Sequence, residues 1–234
     1  MPNGDHILST FNDAQRALKE ATLTMGAGAQ RNLEHAVRGL FQRNKEFCNQ
    51  AIADDEDEDK LEIEIDRMGM NLIIKFRPVA SDLRMVIASM KTASNLERIS
   101  DQAVSIAKRA RKMLKNPELA EVSRVEGLYQ VTATMLADAM TAYSDSNAEL
   151  ALDIVEREKM LKKTQKTISR FFAKKLEGET EQYRDYLDLV FICRWLERAG
   201  NLSINIAEDV IFEETSTDIR HGGDLPQALQ DFIG

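Results

Sequence analysis

The stretch NLERISDQAVSIAK at 95–108 returns one hundred positions later as WLERAGNLSINIAE at 195–208. Leu96, Glu97, Arg98, Ile106 and Ala107 meet identical residues at 196, 197, 198, 206 and 207, and Val104 meets Ile204. A fixed offset held over such a span marks internal duplication. It constrains a chain of 234 residues to two like units, each of roughly 100 to 120 residues.

The composition suits helices: 11 glycines, 4 prolines and 6% aromatics stand against 30% charged residues. Caps and breakers divide the chain accordingly. Asp5 is read as the cap of a first helix running through Phe41, with the GAG at 26–28 as an expected kink. Asn44 caps a second helix ending near Phe76, because Pro78 disfavours helical geometry in Arg77. Ser81 caps a third, reaching about Lys115. Asn116 and Pro117 open a fourth that runs to about Tyr143, Ser146 and Glu149 form a capping box for a fifth that ends near the glycine of EGET at 177–180, and a sixth spans roughly 181–213. The expected fold is all-α: two tandem three-helix bundles, 1–115 and 116–213, related by an internal pseudo-twofold duplication. A flexible C-terminal tail is expected at 214–234.

Helical spacing also predicts which side chains face outward. Ile99, Ala103, Ile106 and Ala110 form a core stripe, matched by Ala199, Ser203, Ile206 and Val210, which leaves Glu97 and Asp101, and then Glu197 and Asn201, on the other side. In helix two, Leu61, Ile65, Met68 and Leu72 turn inward while Asp55, Asp59, Glu62 and Asp66 make an acidic line roughly opposite. Like charges at i and i+4 cost a few tenths of a kcal/mol unless something neutralises them. Two such lines on neighbouring helices could surround a hard cation with oxygen ligands. The plainer alternative is a solvated acidic face. Arg98 and Arg198, at the same place in each half, read first as members of intramolecular ion pairs and second as phosphate contacts.

A net charge of −8 opposes general nucleic-acid binding, which needs clustered Lys and Arg; cations and basic protein surfaces suit it better. No apolar run approaches the roughly 18 residues of a membrane span, and the N-terminus lacks the pattern of a secretory signal. A soluble, cytoplasmic protein is expected, without direct membrane insertion. Cys48 and Cys193 read as small apolar residues. His6, His35 and His221 are far apart, and neither Glu-x-x-His nor GxxxxGK[ST], GxSxG or HExxH occurs, so no catalytic residue or organic cofactor is indicated.

With the repeat and the helix order established, the chain resembles the PhoU family of phosphate-signalling regulators. The resemblance rests on RPVASDLRMVIASMKTASNLERISDQAVSIAKRA at 77–110, DDEDEDKLEIEID at 54–66 and ERAGNLSINIAEDVIF at 197–212, and it covers nearly the whole chain. It implies a non-enzymatic regulatory adaptor that negatively controls phosphate uptake and the phosphate-starvation response. The implied partners are the phosphate-transporter ATPase and a membrane sensor histidine kinase, and a homodimer is expected. It also implies binding of iron or another hard divalent or trivalent cation by carboxylates. By motif position the first site is Asp55, Asp59, Glu62, Glu97 and Asp101. The second site would be Glu158, Glu197 and Asn201, of which only Glu158 and Glu197 keep the pattern: Asn201 replaces the aspartate of the ExxxD, and Lys162 and Gln165 stand where the second aspartate and the glutamate belong. A cation at 162 repels a metal. Two other readings stay open: a PhoU-type regulator of a different transporter or response, and a metal-dependent enzyme.

Overall fold

From Asn3 to Phe41 the chain forms one helix, α1, in a computed structural model that describes residues 3–178 and 181–220. It starts before Asp5, so that residue is not its cap, and it runs through the GAG as a continuous helix. The glycines serve close packing instead. A Cβ on Gly26 would lie 2.4 Å from Met140 Cε, and one on Gly28 would lie 1.8 Å from Glu58 Oε1.

The second helix begins as anticipated, with Asn44 accepting from the Glu46 N–H at 2.8 Å. It does not run unbroken. It divides at Asp54 into α2 (Lys45–Ala53) and α3 (Asp55–Phe76). The restart has a local cause: Asp55, Glu56, Asp57 and Glu58 fill the first turn of α3, where carboxylates complement the positive end of the helix dipole. Arg77 then adopts the left-handed region (φ 51°, ψ 55°), out of the right-handed geometry that Pro78 disfavours. The third helix, α4, covers Ala80–Met113 and begins before Ser81, after an extended Val79.

Asn116 and Pro117 do not open a helix. The Asn116 amide donates to both carboxylate oxygens of Asp185 at 2.8 and 3.0 Å, and a 3-10 helix over Ala120–Val125 precedes α5 (Glu126–Asp145). Nor is Ser146 the next cap. It ends α5 at φ 51°, and Asn147 accepts from the Leu150 N–H at 2.9 Å. The first half has the same device, with Arg43 at φ 48° before the Asn44 cap. The fifth helix breaks as the second does, at Arg157, into α6 (Ala148–Glu156) and α7 (Glu158–Lys175). Last comes α8 (Tyr183–Thr215).

The described residues are thus all-α, three helices and then three helices, with the middle one broken in each set. The predicted core stripes of the third and sixth helices are buried along their length, and of the stripe in α3 Ile65 and Leu72 are buried while Leu61 and Met68 are half-buried. The halves meet where α4 lies antiparallel to α8, through Lys91–Asp209 at 2.8 Å, Asn205–Asn95 at 3.3 Å and an Arg109–Asp188 pair. Part of the anticipated tail is described: Glu214 and Thr215 finish α8, Ile219 is buried, and Arg220 pairs with Asp218 at 2.5 Å. Residues 221–234, with the turn read at His221 to Asp224, lie outside the described residues. No helix among the described residues is long and apolar enough to cross a membrane.

Candidate metal centre

α3 and α4 pack side by side, and their outward carboxylates face one another electrostatically. Glu97, half-buried on α4, has its carboxyl pushed up to about 7, by burial first and then by Asp101, Glu62, Asp59 and Asp55 in falling order. One group therefore feels all four other members of the predicted set. Asp55 is raised as well, by burial and then by Asp101 and Asp59, with Lys108 opposing. Carboxylates that raise one another in this way gain if a cation replaces the shared protons.

Hard oxygen donors with surplus negative charge fit a hard cation in donor type and in charge. Their spacing is looser: no group of three or more His, Cys, Asp or Glu among the described residues is gathered so as to hold an ion. Asp101 and Asp59 are exposed, so their side chains are free to swing.

The second half differs at most of the predicted positions, Glu197 keeping the residue type and half-burial of Glu97. Glu158 is engaged by Lys162 at 2.5 Å. Gln165 turns its amide to the Ser169 hydroxyl at 2.9 Å, and Asn201 Oδ1 is buried without a hydrogen-bond partner. Glu197 is half-buried beside them in sequence register. Arg98 and Arg198 are both exposed and appear in no ion pair among the described residues, which corrects the ion-pair expectation for both.

One functional-looking residue escaped the sequence pattern. Glu58 is 4% exposed, packs against Gly28, leaves Oε2 without a hydrogen-bond partner, and has its carboxyl pushed up to about 7 by burial, against the pull of Arg31. Its signal lay in phase rather than composition: it stands seven residues before Ile65 and in line with Leu72, on the core stripe. The corresponding place after Arg157 is held by Leu161, fully buried. At the α2–α3 break His35 Nδ1 lies 3.6 Å from Asp54 Oδ2, and at the matching α6–α7 break Asp138 pairs with Arg157 at 2.5 Å.

Comparison with known proteins places this geometry in a family. The PhoU domain matches twice, at residues 22–110 and 125–210. The phosphate-specific transport system accessory protein PhoU of Serratia marcescens is 29% identical over 96% of this chain and 93% of its own length. The crystal structure of PhoU from Pseudomonas aeruginosa superposes with a TM-score of 0.86 at 27% identity, covering 88% of this chain and all of that one. The phosphate transport system regulatory protein PhoU from Streptococcus pneumoniae gives 0.83 at 26% identity, over 92% of this chain and all of that one.

Proposed function

The chain belongs to the PhoU family, and from that premise we propose that it is an accessory protein of phosphate transport, acting as a negative regulator of phosphate uptake and of the phosphate-starvation response. It would act by binding, with the transporter ATPase and a membrane sensor histidine kinase as its partners in the cytoplasm. The observation that carries this reading is the likeness along nearly the full length of relatives named as accessory proteins of the phosphate-specific transport system.

The carboxylates of the first half supply the second element. Asp55, Asp59 and Glu62 on α3 with Glu97 and Asp101 on α4 would hold a hard cation, iron or another, which when bound neutralises their repulsion. The chain's own contribution would be to hold α3 to α4 near the α2–α3 break, where Glu58 in the first turn of α3 is buried against Gly28 of α1.

A tagged pull-down from phosphate-replete and phosphate-starved cells tests the partner reading. Recovery of the transporter ATPase and the kinase in at least one condition is expected; their absence from both, with phosphate uptake unchanged on deletion of the gene, refutes it.

A further inference from the structure

The matching helices of the two halves carry opposite charge. α3 holds eight acids and three cations, whereas α7 holds seven cations and the single acid Glu158. Five of those cations, Lys159, Lys163, Lys166, Arg170 and Lys174, are spaced i, i+4, i+7, i+11, i+15, so at 100° per residue they fall within about 80° of arc and run about 22 Å along the helix. All five are exposed. They lie opposite Leu161 and Phe172, the residues through which α7 meets the core.

Pairing separates this stripe from the rest of the helix. The two cations off it are neutralised, Lys162 by Glu158 at 2.5 Å and Lys175 by Glu121 at 2.8 Å, while among the described residues none of the five on it belongs to an ion pair. Like charges one turn apart cost helix stability until an anion neutralises them. The first half is an internal control: the matching positions of α3 are Glu56, Lys60, Ile63, Arg67 and Asn71, and there Glu56 holds Lys60 at 2.9 Å and Glu64 holds Arg67 at 3.7 Å. Duplication of the fold alone therefore does not produce the stripe. α8, packed beside α7, adds exposed Arg194 and Arg198 one turn apart.

The chemistry of the stripe indicates what it meets. Four of its five cations are lysines, flexible point charges without the fork that grips one phosphate or carboxylate in a fixed geometry, and it carries no aromatic ring on which a base could stack. It also lacks the apolar centre that anchors a specific protein interface. A straight, outward row of lysines instead suits a diffuse, planar anionic surface, where each cation adds its own share of the attraction. Exposed Met160 borders the row, and exposed Tyr183 and Leu187 follow where α8 begins; such side chains settle at the headgroup level of a bilayer.

We propose that the Lys159–Lys163–Lys166–Arg170–Lys174 stripe docks the protein on the headgroups of an anionic lipid bilayer, with α7 lying along the surface and no helix inserted. The inference is independent of the regulatory reading. It assigns the two halves different work, the acidic face of α3 to cations and the basic face of α7 to lipid.

Cosedimentation of the full chain with large vesicles tests it, using phosphatidylcholine alone and phosphatidylcholine with about a third phosphatidylglycerol. Wild type is expected to bind the mixed vesicles, to ignore the neutral ones, and to be released as salt rises toward about 0.5 M. Lys163→Gln with Lys166→Gln and Arg170→Gln should weaken binding by roughly 100-fold; the three side chains are exposed and glutamine is a good helix former, so circular dichroism should be unchanged. Lys60→Gln with Arg67→Gln and Lys75→Gln in α3 alters net charge equally and should leave binding within a few-fold of wild type. Lys163→Arg with Lys166→Arg keeps the charge and should bind as wild type does. No binding to the mixed vesicles, equal binding to neutral ones, or equal losses from the α3 and α7 triple variants overturns the proposal. So does a wild type that binds duplex DNA or inorganic polyphosphate at the same salt while ignoring vesicles, which would make a soluble polyanion the occupant.

Discussion

Lys162 Nζ lies 2.5 Å from Glu158 Oε1, one turn along α7, whereas at the matching positions of α3 in the other half Asp59 raises the carboxyl of Asp55. The second half thus supplies its own cation in covalent form. An ammonium on a flexible stem pairs with one carboxylate and repels a second cation that would share it.

Metal binding should therefore be unequal between the halves. Glu97→Gln with Asp101→Asn is expected to remove most bound metal, and Glu197→Gln little. Conversely, Lys162→Asp combined with Gln165→Glu and Asn201→Asp should raise the metal content. Elemental analysis of anaerobically purified protein decides it; equal losses from both halves would show that Lys162 swings clear.

Ile106 and Ile206 are both fully buried, on the two helices that join the halves. Ile106→Asp and Ile206→Asp should each destabilise the protein by about 4 kcal/mol or more, or prevent folding, since each strands a carboxylate in the core. Thermal melts within a few degrees of wild type would contradict the burial.

Glu58→Leu should stabilise the metal-free protein by about 1 to 2 kcal/mol. The carboxyl is buried with one oxygen unpartnered, Leu161 already stands at the matching place, and an apolar side chain of similar volume relieves the desolvation cost. Denaturant midpoints at neutral pH measure the change, and a loss of stability would mean that Arg31 contributes more than burial costs.

Glu213 is pushed up to about 7 by burial and then by Glu214, against Lys19 and Arg84. An acid whose folded pKa lies above its unfolded value binds its proton more tightly when folded, so its contribution to stability falls as pH rises from about 4.5 to 7. Relative to Glu213→Gln, wild type should lose roughly 1 to 2 kcal/mol between pH 5 and pH 8, a partly exposed site being screened. A pH-independent difference between the two melts would refute the shift.

Features that depend on local periodicity were legible in the chain alone. Apolar residues at helical spacing must share a face, so the stripes through Ile99 and Ile106 and through Ala199 and Ile206 were legible, with the opposite faces of Glu97 and Asp101. So were the Asn44 cap and the stop before Pro78, whose causes lie within a few residues. Tertiary structure decided whatever depends on a partner distant in the chain. Asn116 looks like a cap until Asp185, far along the chain, takes its amide. Gly26 and Gly28 look like a kink until Met140 and Glu58 fill the space above them. Glu58 looks like one more acid in a solvated run until α1 covers it, and Lys91 and Asp209 meet only because α4 and α8 pair antiparallel. The hydrogen bonds of a helix are closed within four residues, so its existence can be read locally; desolvation and charge pairing are fixed by whichever surface arrives opposite, and only the packed chain specifies that surface.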